Sequence, residues 1–293
     1  MKKFALVTSI AGVVCIVLGV IVVTVSAVAG ATLPRSLRDG MIHRHNGWDW
    51  EDYWEENWDE TQECSFDGIT ELTADVGAGS FFIREGDTDR LTLRIRDPRG
   101  TASFQEDGSR LSIDGGEMGS GRGLMENGLR RWLEGRGDES CTVEVTVPAG
   151  YRFDAVSLDL GAGYLEADAV RAGEVDLDTG AGYGDICVLE ADWLNADVGV
   201  GYLNIDQADI ASGVDAECGV GSLELGILGS REDFSYEVDC ELGEVTLDGE
   251  SHSGQFECRD GGLGFPAGTG GKQMRLSCGV GNIDISFEGQ EET

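Results

Sequence analysis

An acidic residue followed by x-Gly-x-Gly returns along this chain at an almost fixed interval. The copies are Asp159-Leu-Gly-Ala-Gly163, Asp178-Thr-Gly-Ala-Gly182, Asp197-Val-Gly-Val-Gly201 and Glu217-Cys-Gly-Val-Gly221, with looser versions at Asp239-Cys-Glu-Leu-Gly243, Glu257-Cys-Arg-Asp-Gly261 and Ser277-Cys-Gly-Val-Gly281. Their last glycines are spaced 19, 19, 20, 22, 18 and 20 residues apart. A period of that length marks a repeat architecture in which each unit packs on its neighbours.

The residues around the phrase say which kind of unit it is. In Val156-Ser-Leu158-Asp-Leu160, Val175-Asp-Leu177-Asp-Thr179 and Val214-Asp-Ala216-Glu-Cys218, apolar and polar residues alternate strictly. Successive side chains of a strand face opposite ways, so the first, third and fifth of each set point inward. Gly-x-Gly then reads as a corner, after which Tyr164-Leu165-Glu166 or Tyr202-Leu203-Asn204 resumes the extended pattern. The Leu-x-x-Leu-x-Leu-x-x-Asn phrase of leucine-rich repeats is absent. A nucleotide-binding Gly-x-Gly occurs once, between strand and helix, whereas this one recurs without a helix after it. The expected fold is all-β: a right-handed parallel β-solenoid of about 19–22 residues per coil, carried behind an N-terminal transmembrane helix.

That helix is expected because no charged residue occurs from Phe4 to Leu33, longer than the roughly 20 apolar residues a spanning helix needs. Residues 1–31 are read as the anchor, with the span at 4–31; a cleaved signal ending near Ala27-Val-Ala29 is the alternative. Lys2 and Lys3 before the span and Arg35, Arg38 and Arg44 after it give no clear orientation. The C-terminal domain is placed outside the cytoplasm because a large domain behind one N-terminal span is exported largely regardless of charge.

Residues 32–63 form an acidic aromatic stalk, with Trp48, Trp50, Tyr53, Trp54 and Trp58 set among seven carboxylates. Residues 64–149 hold the opening strands. Asp75-Val-Gly-Ala-Gly79 is an early copy of the phrase, and the segments at 90–96, 110–113 and 142–147 alternate with period two. A Gly-rich, locally basic insertion covers 115–139 and contains Arg136-Gly-Asp138, a tripeptide too short to carry weight as an integrin signal. The regular region is 150–287 and the tail 288–293. With 21 Lys and Arg against 55 Asp and Glu, the formal charge is -34. A nucleic-acid partner is excluded, since phosphate binding needs a basic footprint.

The turn Val147-Pro-Ala-Gly150, followed by serial Asp-x-Gly-x-Gly-x-Leu phrases behind a single span, resembles the bacterial putative-adhesin β-strand-repeat family, which includes accessory membrane proteins of Gram-positive envelope-stress operons. The resemblance covers about residues 64–287. It implies a β-helical extracytoplasmic domain with no catalytic residues, so the chain is expected to be a non-enzymatic, membrane-anchored surface protein. Its expected partners are the membrane and an unidentified protein or cell-surface ligand. The alternative is a carbohydrate-active β-helix enzyme that uses clustered carboxylates.

Stacked repeats turn single residues into rows. One row is expected to run Asp75, Asp159, Asp178, Asp197, Glu217, Asp239 and Glu257, and a second Glu166, Asp185, Asn204, Glu224, Thr246 and Asp284. Carboxylates about 5 Å apart repel by roughly 1 kcal/mol in water. Either they splay apart and are screened by salt, or a hard cation such as calcium bridges Asp159, Asp178, Asp197, Glu217, Asp239 and Glu257; no other cofactor is expected. Cys218, Cys240, Cys258 and Cys278 should share one inward column, read as reduced thiols with disulfides 218–240 and 258–278 as the alternative. A Cys64–Cys141 link is also conceivable. His43 and His45 lie in the stalk and His252 in an expected turn, Ser251 to Gly254.

Overall fold

The computed structural model describes residues 61–98, 100–115, 141–258 and 271–288, with side chains given for all but residue 241 and residues 252–258. The chain divides into two units, residues 1–58 and 59–293, and every described residue belongs to the second. The expected span, nearly all of the stalk with His43 and His45, the insertion beyond Gly115 and the tail beyond Glu288 fall outside the described residues. Among the described residues, no helix is long and apolar enough to cross a membrane.

The described residues are all-β, joined into one hydrogen-bonded sheet of eleven strands. In order these are β1 (Thr61–Phe66), β2 (Glu71–Gly86), β3 (Leu91–Arg96), β4 (Ser103–Asp107), β5 (Arg110–Asp114), β6 (Cys141–Pro148), β7 (Phe153–Leu228), β8 (Phe234–Leu247), β9 (Glu250–Cys258), β10 (Lys272–Cys278) and β11 (Asn282–Glu288). A three-residue 3-10 turn, Arg231–Asp233, begins on a Ser230 cap. The period-two segments of the opening region appear as β3, β5 and β6, and the early copy of the phrase lies in β2. β4, which pairs antiparallel with β5, has too little alternation to be read from its residues.

The repeat phrases stack in parallel. β2 runs beside the start of β7 with Asp75 opposite Asp159 and Ala78 opposite Ala162. β7 then continues past itself: Gly180 lies against Gly161, Gly199 against Gly180 and Gly219 against Gly199, at separations of 19, 19 and 20 residues. Strand structure continues through every Gly-x-Gly of β7, so the phrase does not interrupt the ladder. Most of these glycines have ordinary negative φ; what they supply is room. A Cβ on Gly161, Gly180, Gly199 or Gly219 would come 2.6–2.8 Å from the carbonyl oxygen of the glycine beneath, closer than any real Cβ contact.

In the opening tier, β5 pairs with the first half of β2 and β6 with its second half. β5 ends at Asp114, the Gly115 N–H donates to Asp75 O at 2.8 Å, and β6 begins at Cys141. Asp114 stands opposite Asp75, so Gly115 falls where the other tiers begin Gly-x-Gly.

The C-terminal end departs from simple succession. β10 and β11 lie between the last turn of β7 and β8, pairing in parallel with both. Arg275 on β10 consequently sits between Asp215 at 3.5 Å and Glu237 at 3.4 Å. β9 pairs antiparallel with β8 through the two-residue turn Asp248-Gly249, where both residues have positive φ, 49° and 78°. That is the geometry in which Asp-Gly closes a hairpin.

The inward positions form one continuous core. Val156, Leu158, Leu160, Val175, Leu177, Leu203, Ile205, Val214, Ala216 and Cys218 are all buried in a single cluster. Thr179 occupies the same inward position as Leu160, at 1% exposure, and its hydroxyl has no hydrogen-bond partner.

Candidate functional site

The carboxylate rows are the most chemically loaded feature, and the strand registers fix their membership. Asp159 stands opposite Asp75, with Asp178 and Asp197 continuing the row along the glycine stack. Glu217, however, faces Ser277, and Ser277 faces Asp239 on its other side. Glu257 leaves the row altogether, opposite Glu237 across the antiparallel pair. Both corrections follow from β10 filling the slot beside β7 and from the hairpin reversing β9. Among the described residues, Asp159, Asp178, Asp197 and Glu217 make no ion pair or side-chain hydrogen bond. Partial burial, and then the charge of Asp178 with its neighbours, pushes the Asp159 and Asp197 carboxyls above their ordinary values.

The second row is ordered Glu166, Asp185, Asn204, Glu224, Asp284, Thr246, since Asp284 pairs with both Glu224 and Thr246. Here the repulsion is relieved from within the chain. Tyr164 Oη donates to Glu166 at 2.6 Å, and Arg84 reaches Glu166 at 2.7 Å and Asp168 at 3.0 Å. The Asn204 amide donates to Asp185 at 2.9 Å and to Asp206 at 2.8 Å. One amide in the row therefore serves two carboxylates. Burial still raises the Asp185 and Asp284 carboxyls. Asn204, Asp206, Glu224, Gly226, Asp284 and Ser286 line a shallow hollow of about 180 Å³. Among the described residues, no group of three or more His, Cys, Asp or Glu is placed to hold a metal ion.

Beside this row runs a ladder absent from the sequence reading. Tyr164, Tyr183 and Tyr202 stack with ring centroids 5.5 and 5.1 Å apart, and Phe82 leans on Tyr164 at 5.9 Å. The signal was available: each Tyr directly follows a Gly-x-Gly, at the repeat interval.

The inward thiols also follow the registers. Cys278 lies between Cys218 and Cys240, so the column runs 218, 278, 240, while Cys258 pairs with Tyr236 instead. Cys218, Cys240 and Cys278 are buried and form no disulfide. A thiol–thiol hydrogen bond with Cys218, followed by burial, raises Cys278. Cys64 and Cys141 are not joined by a disulfide: Cys64 faces Leu93, which faces Val145, so Cys141 is four residues too far along β6. His252 lies in β9 opposite Val245, within a strand rather than a turn. Burial, then the charge of Asp185, raises the exposed Cys187 thiol, which makes it a poor nucleophile.

No family model matches the chain, and no curated protein matches it in sequence. Among solved structures, it is similar to a putative cell adhesion protein from Clostridium sporogenes, at 13% identity over 78% of this chain and 99% of that one, with a TM-score of 0.46. It is also similar to putative adhesins from Bacteroides fragilis, at 10% identity over 77% of this chain and 95% of that one, TM-score 0.34, and from Parabacteroides distasonis, at 13% identity over 78% and 96%, TM-score 0.30.

Proposed function

We propose that this chain is a non-enzymatic surface protein, held by a single N-terminal membrane span, whose extracytoplasmic domain is a right-handed parallel β-solenoid serving adhesion or envelope-stress signalling. The observation that carries the reading is the in-register stacking of repeats 19–20 residues apart. Such stacking sets like side chains at roughly 4.8 Å intervals on a stiff support, the arrangement of a display surface. Parallel winding past Gly-x-Gly is what a solenoid requires, and the apolar, uncharged run from Phe4 to Leu33 is what an anchor requires.

The test is protease treatment of intact cells, with attachment measured on cells lacking the chain. Exposure of the C-terminal domain and lost attachment, or a lost envelope-stress response, are expected. A domain protected in intact cells but cleaved after lysis would refute the placement.

The enzyme reading keeps one specific support, the hollow holding Asp206, Glu224 and Asp284 with a raised Asp284 carboxyl. If glycan cleavage is detected and the double variant Glu224→Gln, Asp284→Asn abolishes it, this reading replaces the first.

A further inference from the structure

The residue before the last glycine of each phrase faces solvent or lies half-exposed, and in every described tier it is aliphatic. In stacking order the positions are Ala78, Ala162, Ala181, Val200, Val220, Val280 and Leu242. The last two join the row through Val280 N–H to Gly219 O at 2.7 Å and Leu242 N–H to Gly279 O at 2.9 Å. Val200 is 57% exposed and Leu242 78%, the two large apolar side chains most open to water among the described residues. An outward position on so acidic a chain would ordinarily be polar. Here four successive tiers instead build an unpartnered aliphatic ridge, of the kind that marks an interaction surface.

The flanks of the ridge say what covers it. Three residues before Val200, Val220 and Leu242 stand Asp197, Glu217 and Asp239. Among the described residues, Asp197 and Glu217 have no cation or hydrogen-bond donor of their own, whereas the row on the other side of the phrase is served by Arg84, Tyr164 and Asn204. Carboxylates left bare beside an apolar ridge match a partner that brings both apolar and basic side chains. A second copy would set two such rows against each other, and an anionic bilayer would be repelled. Spacing selects the partner's form: tiers recur every 4.8 Å or so, close to the 5.4 Å pitch of a helix, so a helix lying along the ridge meets about one tier per turn.

We propose that Val200, Val220, Val280 and Leu242, with Asp197 and Glu217 beside them, dock a cationic amphipathic helix of a partner protein. The proposal goes beyond surface display, and binding in solution is read independently of where the domain resides. The full chain in zwitterionic nanodiscs is titrated with a dye-labelled helical peptide bearing a Leu stripe flanked by Lys, with empty nanodiscs as baseline. The control peptide carries the same Lys residues and Ala in place of Leu.

The native chain should bind the Leu peptide at least about tenfold more tightly than the control, and added salt should weaken that binding. The variant Val200→Thr, Val220→Thr, Val280→Thr, Leu242→Gln keeps β-branching at the three Val positions. It should lose about tenfold in affinity with an unchanged Tm. Equal binding of both peptides, undiminished binding by the variant, or a Tm drop that explains the loss would each overturn the proposal. So would self-association abolished by the variant, which would make the occupant a second copy, or capture of anionic vesicles by the native chain.

Discussion

At the scale of single residues, the same repeat position is used in two ways. Inward, Thr179 stands where other tiers place Leu160 and Cys218, and its buried hydroxyl finds no partner. Leaving such a group unsatisfied costs about 1–3 kcal/mol. Thr179→Val keeps the branched shape and removes the hydroxyl, so chemical denaturation should show a gain of about 1 kcal/mol; a loss would mean that the hydroxyl is satisfied in solution. Along the backbone, the glycines answer to a harder limit. An added Cβ on Gly180 would stand 2.7 Å from Gly161 O, against backbone that cannot move without parting two tiers. Gly180→Ala should therefore destabilise by about 2–3 kcal/mol, as overpacking does, and the same measurement checks it. The first effect is an unmet hydrogen bond, and the second is steric.

At the scale of elements, the hairpin of β8 and β9 is held by a turn that side chains other than Gly, Asn and Asp adopt poorly. Asp248 combines φ 49° with an Oδ1 that accepts from the Phe287 N–H at 2.8 Å. Asp248→Ala loses the bond and keeps the strain, so it should cost about 1–2 kcal/mol, whereas Asp248→Gly should recover the strain part. Equal stabilities of the two variants would show that the side-chain bond carries the whole effect. The same turn explains what the sequence hid. Period-two alternation is identical in parallel and antiparallel strands, so Gln255-Phe-Glu-Cys258 read as another coil, and Asp248-Gly249 was the one local sign of reversal. The slot filled by β10 and β11 leaves no local sign, because Ser277-Cys-Gly-Val-Gly281 has the same phrase whichever tiers lie beside it. The inward alternation and the outer acid row from Asp75 to Glu217 were legible because they follow from strand period and repeat spacing alone; the order of the last tiers depends on long-range pairing.

At the scale of the whole molecule, the charge of -34 sets up a self-repulsion that favours expansion, concentrated where carboxylates stack. In the folded state Asp159, Asp185, Asp197 and Asp284 are all held above the ordinary value of 3.8, in each case chiefly by burial. Such groups bind protons more readily folded than unfolded. Their protonation therefore stabilises the fold below the ordinary carboxylate range, and that stabilisation disappears as pH rises through the raised values. Glu85 acts oppositely: the Gly150 N–H at 2.8 Å, with Arg171 beside it, holds its carboxyl low, so its contribution is present above the ordinary range and lost as pH falls through its lowered value. As pH falls from 7 the four raised groups take up protons first, because their values lie above the ordinary carboxylate range and that of Glu85 lies below it. Acidification from pH 7 toward about 5 should raise Tm, and added salt should raise it more at pH 7 than at pH 5, because screening and protonation relieve the same repulsion. Asp159→Asn with Asp197→Asn should raise stability at pH 7 by less than about 1 kcal/mol each, since both sites are largely exposed, and should flatten the pH dependence. A Tm that stays flat or falls between pH 7 and 5 would refute the assignment to these four carboxyls, because Glu85 loses its contribution only at and below the ordinary carboxylate range.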